Sequence, residues 1–291
     1  MPDTMPDGRP WPRISIVTPS FNQGQFIEET IRSVLLQGYP NMEYIIIDGG
    51  SKDSSVEIIR KYESWLAYWV SEPDRGQADA IAKGFSKASG EILYWLNSDD
   101  IILPGAVGLA VRTLIREGCG VVYGNRLRLN EKDLFFDFDV PPSHLSRFHL
   151  FLGSWIPQET MFFRHSIYES VGGIDPNLQF ALDYELILRM FLSGVKFVHT
   201  GKFMGVMRFH NSAKSSRIGV IGEWEFQELR LRYLCHGKGI VFLDAVVDPL
   251  FRRISFYIYQ TWKDFWIRSK RISFIPGLGY FPDYKWLPEA I

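Results

Sequence analysis

The chain has 291 residues, of which 46% are apolar and 22% charged, and its net charge is −1. That length accommodates one large α/β domain with appendages and a sizeable core. The apolar content excludes a disordered chain, and the near-neutral charge excludes strong electrostatic capture of nucleic acid.

The two cysteines, Cys119 and Cys235, follow no metal spacing and fit a reduced, cytoplasmic setting. Residues 1–13 hold no apolar signal-peptide core, and no run of 18 apolar residues is present. Neither a cleaved leader nor a spanning helix is therefore expected.

Residues 1–12 carry four prolines and read as a loose leader. A first strand is predicted from Ile14 to Thr18, ended by Pro19, which cannot donate to a ladder. A helix should run from Asn22-Gln-Gly to about Gln37, with Ile27, Ile31, Val34 and Leu35 on one face and Gly38 stopping it. Tyr44 to Ile47 reads as a second buried strand, followed by the tight turn Asp48-Gly-Gly-Ser51 and a helix over 53–62. Trp65 to Val70 gives a third strand, and Gln77 to Lys87 a helix with Ala78, Ile81, Ala82 and Phe85 inward. Ile92 to Leu96 is an apolar run bounded by polar residues. It suits a buried central strand, although periodicity alone also admits a buried helix. This alternation predicts a mostly parallel, doubly wound sheet.

Beyond Asp100 the rhythm loosens. Helices are expected over 104–116, 144–152, 166–171 and 181–191. Strands are expected over 120–129, 160–164, 195–199 and 203–209, with an extended stretch over 135–142. The polar run Ser212-Ala-Lys-Ser-Ser216 suggests a boundary near residue 215.

The run Ile92–Leu96 ends in Asn97-Ser98-Asp99-Asp100. In open α/β sheets, ligands bind beyond the carboxyl ends of the strands, where this cluster would sit. Adjacent carboxylates repel unless positive charge lies beside them, and oxygen ligands favour a hard cation, Mg²⁺ or Mn²⁺. An Asp-rich turn capping the next helix is the plainer reading of the same residues.

Four further stretches accompany this cluster: Ile14-Ser-Ile-Val-Thr-Pro-Ser-Phe-Asn22, Ile45-Ile-Ile-Asp-Gly-Gly-Ser51, Ser71-Glu-Pro-Asp-Arg-Gly-Gln-Ala-Asp-Ala80 and Leu182-Asp-Tyr-Glu-Leu-Ile-Leu-Arg-Met190. In this order they resemble the family 2 glycosyltransferases over roughly residues 13–212. The resemblance implies an α/β chain of the GT-A fold, with a Rossmann-like, mostly parallel central sheet flanked by helices. Residues 1–12 would be a leader and 13–215 the catalytic domain, with a nucleotide-binding half (13–103) and an acceptor-binding half (104–215). Residues 216–291 would form a helical, aromatic and basic extension.

The reaction implied is an inverting, single displacement at the anomeric carbon of a UDP- or dTDP-sugar by a hydroxyl of a glycan or lipid-linked glycan. By resemblance, Pro19, Ser20, Phe21, Asn22, Asp48, Asp74, Arg75, Asn97 and Ser98 bind the donor. Asp48 would read the imide N–H of uracil or thymine, which cytosine and adenine lack. Arg75 suits a phosphate oxygen. Asn97 stands where the family's Asp-x-Asp pattern has its first Asp, so the site loses one charge. Asp99 is the main expected ligand of Mn²⁺ or Mg²⁺, with His210 a further one. Asp183 is the expected base, and the family's preceding Glu is here Leu182. Trp155, Gln158 and Glu159 are expected to face the acceptor.

Between Leu250 and Arg271, Arg252, Arg253, Lys263, Arg268, Lys270 and Arg271 oppose a single Asp264 and are interleaved with aromatic residues. Such a segment suits a membrane interface, placing the protein peripherally on the inner face of the cell membrane. It equally suits a helix packed on the domain. Two other functions fit the fold class. A sugar-1-phosphate nucleotidyltransferase would show a Gly-rich, basic signature after the first strand, which Pro19-Ser-Phe-Asn22 lacks. A non-catalytic nucleotide-sugar or glycan-binding module is kept open by Asn97 and Leu182.

Overall fold

The computed structural model describes residues 2–5, 7–130, 135–153, 156–211, 213–214 and 219–234. Its organising element is β1 (Ile14–Ser20), seven residues buried on both faces. An Ile-Ser-Ile-Val-Thr run is rich in β-branched side chains that pack well on a pleated surface. β1 pairs in parallel with β2 (Met42–Asp48) from Ile14 opposite Met42 to Ser20 opposite Asp48. On its other side lies β4 (Ile92–Trp95), also parallel, and β3 (Tyr68–Ser71) extends the sheet beyond β2.

Helices α1 (Ile27–Leu35), α2 (Ser55–Lys61) and α3 (Gln77–Lys87) connect these strands, as the sequence alternation predicts. Alternate side chains then feed opposite faces of the sheet. Ile14, Ile16, Ile46 and Tyr94 pack with α1, α2 and α4 (Ala106–Glu117). Val17, Ile45, Ile47, Leu93 and Trp95 pack with α3 and α7 (Leu182–Leu192).

After β4 the sheet becomes mixed. Its order among the described residues is β3-β2-β1-β4-β8-β6-β9-β5, with β7 on β6. β8 (Phe162–Arg164) runs antiparallel to both β4 and β6 (Val121–Asn130). β9 (Phe197–Phe209) is parallel to β6 and antiparallel to β5 (Ile101–Ile102). β7 (Phe135–Asp139) pairs antiparallel with β6.

Several sequence expectations shift here: α1 starts at Ile27 rather than at Asn22, and β3 at Tyr68, because Glu63–Trp65 form a 3-10 turn. The two strands expected over 195–199 and 203–209 form one. The pairing with β6 breaks after His199 and resumes at Phe203, so Thr200, Gly201 and Lys202 bulge from one continuous strand. The strand expected from Thr160 starts at Phe162, because Gln158–Thr160 close a 3-10 turn after Pro157. The helix expected from His144 starts at Arg147 (α5, Arg147–Leu152), where the Ser146 side chain accepts the His149 N–H as an N-cap.

The short α6 (His165–Ser170) follows β8. Beyond the boundary expected near residue 215, α8 (Gly219–Leu234) buries Leu229 in the same core as α7. Among the described residues no helix is long and apolar enough to cross a membrane. The basic, aromatic segment 250–271 lies outside the described residues.

Candidate active site

The carboxyl ends of β1, β2, β3 and β4 open into a cavity of about 1190 Å³. One wall comes from the nucleotide half, through Pro19, Ser20, Phe21, Asp74, Arg75 and Asn97 to Asp100. The other comes from Gln158, Glu159, the loop 176–180, Asp183 and Lys214. Most of the sequence-selected residues therefore meet around one space, while Asn22, Asp48 and His210 lie behind its lining. Trp155 lies outside the described residues.

At the end of β2, Asp48 is 0% exposed. One carboxylate oxygen accepts from the Ser20 and Ser51 hydroxyls at 3.1 and 2.6 Å. The other accepts from the Gly50 and Ser51 N–H groups at 3.1 and 2.9 Å and the Ser71 hydroxyl at 2.7 Å. Asp48 thereby laces the ends of β1, β2 and β3 together. Asn22, at φ 52°, locks the adjacent loops: its side chain accepts the Lys52 N–H and its own N–H goes to the Ser51 hydroxyl.

Gly49 has no room for a side chain, since a Cβ there would stand 2.7 Å from an Asp74 oxygen. The missing Cβ lets the Pro73-Asp74 turn close over β2. Burial pushes the Asp74 carboxyl up, opposed by the Gly76 N–H that it accepts. Arg75 is held by Asp79 at 2.8 Å, but its side chain is 69% exposed. An exposed pair of this kind is weak, so a bound anion competes readily for the guanidinium.

The acidic turn separates into distinct roles. Asn97 is a junction: its oxygen accepts from Gln77 at 2.6 Å, and its NH₂ donates to Asp100 and Gln158, both at 3.2 Å. Asp100 points inward, where its carboxylate accepts the Arg208 main-chain N–H at 3.1 Å. Burial pushes the Asp100 carboxyl well up, and the charges of Asp99 and Glu159 push the same way. Asp99 points the other way, to the His210 imidazole at 3.0 Å. That imidazole packs on Phe26 with ring centroids 4.5 Å apart.

Arg208 holds this turn in place. Its guanidinium donates to the Asp99 main-chain carbonyl at 2.9 Å and to Glu29 of α1, and lies over the Phe26 ring at 4.7 Å. The Thr30 hydroxyl of α1 is shared between the Ser98 and Asp100 carbonyls at 3.0 and 2.7 Å. The sequence carried a signal for Arg208, which stands two residues before His210 at the end of β9.

A divalent cation fits this donor set. Among the described residues no group of three His, Cys, Asp or Glu could hold a metal by itself. Asp99 and His210 supply one carboxylate and one imidazole side by side. Mg²⁺ and Mn²⁺ take few protein ligands in this way and share substrate phosphate oxygens.

Across the cavity, Asp183 stands in the first turn of α7 and accepts the Tyr184 N–H at 2.8 Å. Burial pushes its carboxyl up, opposed by that N–H and by the charges of Lys214 and Arg126. Lys214 was not singled out in the sequence. Its ammonium donates to the Gln77 side chain at 2.8 Å, and burial pushes it down against the pull of Asp183 and Glu225. Glu185 is turned away, paired with Arg189 and accepting the Tyr233 hydroxyl.

The expected acceptor-facing residues are only partly free to act. Gln158 is pinned by its donation to the Trp95 carbonyl at 2.7 Å. Glu159, although on the cavity wall, belongs to a buried ion network: Arg126 reaches it at 3.4 Å and also binds Asp139, which takes two bonds from Arg128 at 2.7 and 2.8 Å.

A family model described as Glycosyl transferase family 2 matches residues 15–168. An uncharacterized glycosyltransferase of Mycobacterium tuberculosis is 35% identical over 182 residues, covering 61% of this chain and 68% of the relative. The Escherichia coli UDP-Glc:alpha-D-GlcNAc-diphosphoundecaprenol beta-1,3-glucosyltransferase is 28% identical over 129 residues, covering 44% of this chain and 51% of that enzyme. Among solved structures, a mannosyltransferase of Pyrobaculum calidifontis, in complex with GDP-Man and Mn2+, aligns with a TM-score of 0.60 at 19% identity, covering 78% of this chain and 66% of that one. At that identity the likeness establishes the fold, which is GT-A.

The Arg208 arrangement yields a stability prediction. Arg208→Met should cost about 3 kcal/mol, the low end for breaking a buried pair, because Glu29 is 31% exposed. The urea midpoint should fall with the slope unchanged. A loss below about 1 kcal/mol, the level of a surface pair, would show that Arg208 does not hold the turn.

Proposed function

The chain belongs to glycosyl transferase family 2, and from that premise we propose that it moves a sugar, with inversion, from a UDP- or dTDP-sugar to a hydroxyl of a glycan or lipid-linked glycan. The observation that carries the reading is one cavity whose walls bear Asp99, beside His210, and Asp183. The Escherichia coli relative, by its name, acts on a lipid-diphosphate-linked sugar, which favours that acceptor class. A membrane surface contact through residues 250–271 would suit such an acceptor.

In this reading the acceptor oxygen attacks the anomeric carbon as the bond from that carbon to the diphosphate oxygen breaks. The bonding pair leaves with the nucleoside diphosphate, and the acceptor proton passes to the Asp183 carboxylate. Burial strengthens Asp183 as a base, because it raises the proton affinity of a carboxylate. An Mn²⁺ or Mg²⁺ ion held by Asp99 and His210 would, when bound, stabilise the charge growing on the leaving diphosphate. Lys214 and Arg75 are the cavity-lining cations placed to share that anion.

The fold does not select the donor base, since the Pyrobaculum neighbour carries GDP-Man. Asp48 supports a pyrimidine imide. Three of its five donors, from Ser20, Ser51 and Ser71, are hydroxyls that can rotate aside and release a lone pair. Guanine also has a ring N–H, so GDP is the decisive comparison. UDP or dTDP should bind better than GDP or ADP, and Asp48→Asn, which presents an NH₂ instead, should erase the preference. Equal affinity for all four nucleotides in wild-type titrations would sink this assignment.

Transfer should vanish with excess chelator and return with Mn²⁺ or Mg²⁺, and Asp99→Ala should remove nearly all of it. Full turnover in chelator would refute a metal role.

Asp183→Asn should leave donor affinity unchanged and cut transfer by roughly the 10²–10⁴ that general-base catalysis contributes. Transfer is followed with a panel of soluble and lipid-diphosphate-linked glycans. Because the Asp183 carboxyl is raised, wild-type turnover should fall as pH drops through a limb above the ordinary carboxylate range. Near-normal transfer in the variant would leave Asp183 as a helix-terminal residue.

A further inference from the structure

We propose that Glu225, on α8, is the positioning residue of the active site: its carboxylate holds the segment that delivers Asp183 into the cavity. This rests on Asp183 being the base. Both residues lie beyond the span matched by the family model, which ends at residue 168.

The starting point is a helix without a cap. The N-cap position of α7 is Ala181, which has no side-chain acceptor for the unsatisfied N–H groups of a first turn. The Glu225 carboxylate, only 7% exposed, instead holds from another helix the main chain that leads into this turn. One oxygen accepts the Gln179 N–H, and the other accepts the Phe180 and Ala181 N–H groups, all at 2.8 Å. Three charge-assisted bonds to consecutive residues fix the backbone of the loop immediately before Asp183.

The rest of α8 is shaped for the same task. Three residues before Glu225, a Cβ on Gly222 would stand 2.5 Å from the Phe180 ring, so only glycine lets the helix come this close. One residue after it, Phe226 packs edge-on to Phe180 at 6.0 Å and tilted against Tyr184 at 4.9 Å. Phe180 and Tyr184 bracket Asp183 in sequence, so α8 grips the segment on both sides of the carboxylate. The same loop lines the cavity through Asn177, Leu178 and Gln179. Glu225 also acts on the charge beside Asp183, since it and Asp183 both pull on the Lys214 ammonium.

The function that follows is alignment. A displaced base loses rate steeply, while the donor, held by the β1–β4 ends, is unaffected. Glu225→Gln keeps the size but offers one acceptor oxygen for three N–H groups and places an NH₂ against at least one of them. Transfer at saturating donor and acceptor should fall roughly 10- to 100-fold, the penalty of a base misplaced by about 1 Å. Donor affinity, read by titration of UDP and the nucleotide sugar, should stay unchanged.

A second readout separates alignment from loss of folded enzyme. Asp183 faces Lys214 and Arg126, which favour its ionised form, and burial opposes them. Loosening the loop admits water, and removing the Glu225 charge leaves Lys214 drawn more to Asp183. Both effects move the acid limb of the turnover profile to lower pH. A purely structural role would scale the profile without moving it.

If Glu225→Gln does not fold, Glu225→Asp keeps the charge on a shorter arm and should show the same changes, smaller. Unchanged turnover in the folded variant, or equal loss of donor affinity and turnover, overturns the proposal. Asp183→Asn is measured alongside. If that variant retains transfer, the base assignment fails. If it loses transfer while Glu225→Gln does not, the positioning role alone fails.

Discussion

A single buried guanidinium joins the two halves of this site. The Arg208 side chain is 1% exposed and ties together several elements. Glu29 and Phe26 come from α1 and its start, the Asp99 carbonyl from the acidic turn, and Arg208 itself from β9. A charge taken out of water is tolerated only where paired and hydrogen-bonded. The cost of burying Arg208 thus forces these elements to converge, and convergence sets Asp99 beside His210. The Asp99–His210 pair is a consequence of that packing, since His210 follows Arg208 by two residues at the end of β9.

A second consequence concerns electrostatics. Burial pushes Asp100 and Glu159 toward protonation, helped at Asp100 by the charges of Asp99 and Glu159 and at Glu159 by that of Asp139. Arg208 and Arg126 approach the cluster from β9 and β6, which run side by side in parallel. Arg126 is itself braced by Asp139, so the positive charge beside Glu159 is fixed rather than mobile. The cavity therefore carries a prearranged field in which few groups need to move. In the proposed reaction, donor binding would exchange existing hydrogen bonds at Asp48 and Arg75 more than create new ones.

The nucleotide half was legible in the sequence because its logic is local. Buried parallel strands show as β-branched runs, and the functional residues follow directly at the strand ends: Pro19 to Phe21 after β1, Asp48 closing β2, Asn97 to Asp100 after β4. The acceptor half was legible only in pieces. The Ala181–Phe191 helix and its Asp183 stood out by periodicity and charge. The Glu159–Arg126–Asp139 network did not, since its members are 13 to 33 residues apart and meet through sheet register. Glu159 reads in sequence as a sugar-binding carboxylate and is found salt-bridged. Gln77, which links Asn97 to Lys214, left no sequence signal, because nothing about a helix-start glutamine announces two partners 20 and 137 residues away.

The same distinction explains why one carboxylate among several suits proton transfer. Asp100 is fixed by the Arg208 N–H and the Asn97 amide, and Glu159 by a guanidinium. Glu185 is committed to Arg189 and Tyr233. Asp100 is pushed well up by burial and by the charges of Asp99 and Glu159, Glu159 faces the Arg126 guanidinium, and a proton on Glu185 would break its ion pair with Arg189. Asp183 differs: its N–H donor is the backbone of its own helix, and its charged neighbours act on it across the cavity rather than by direct bonding. It can change protonation state without dismantling its support. That support lies behind it, in the main chain that α8 holds, so in the proposed reaction the oxygen that takes the proton and the restraint on its position are carried by different atoms.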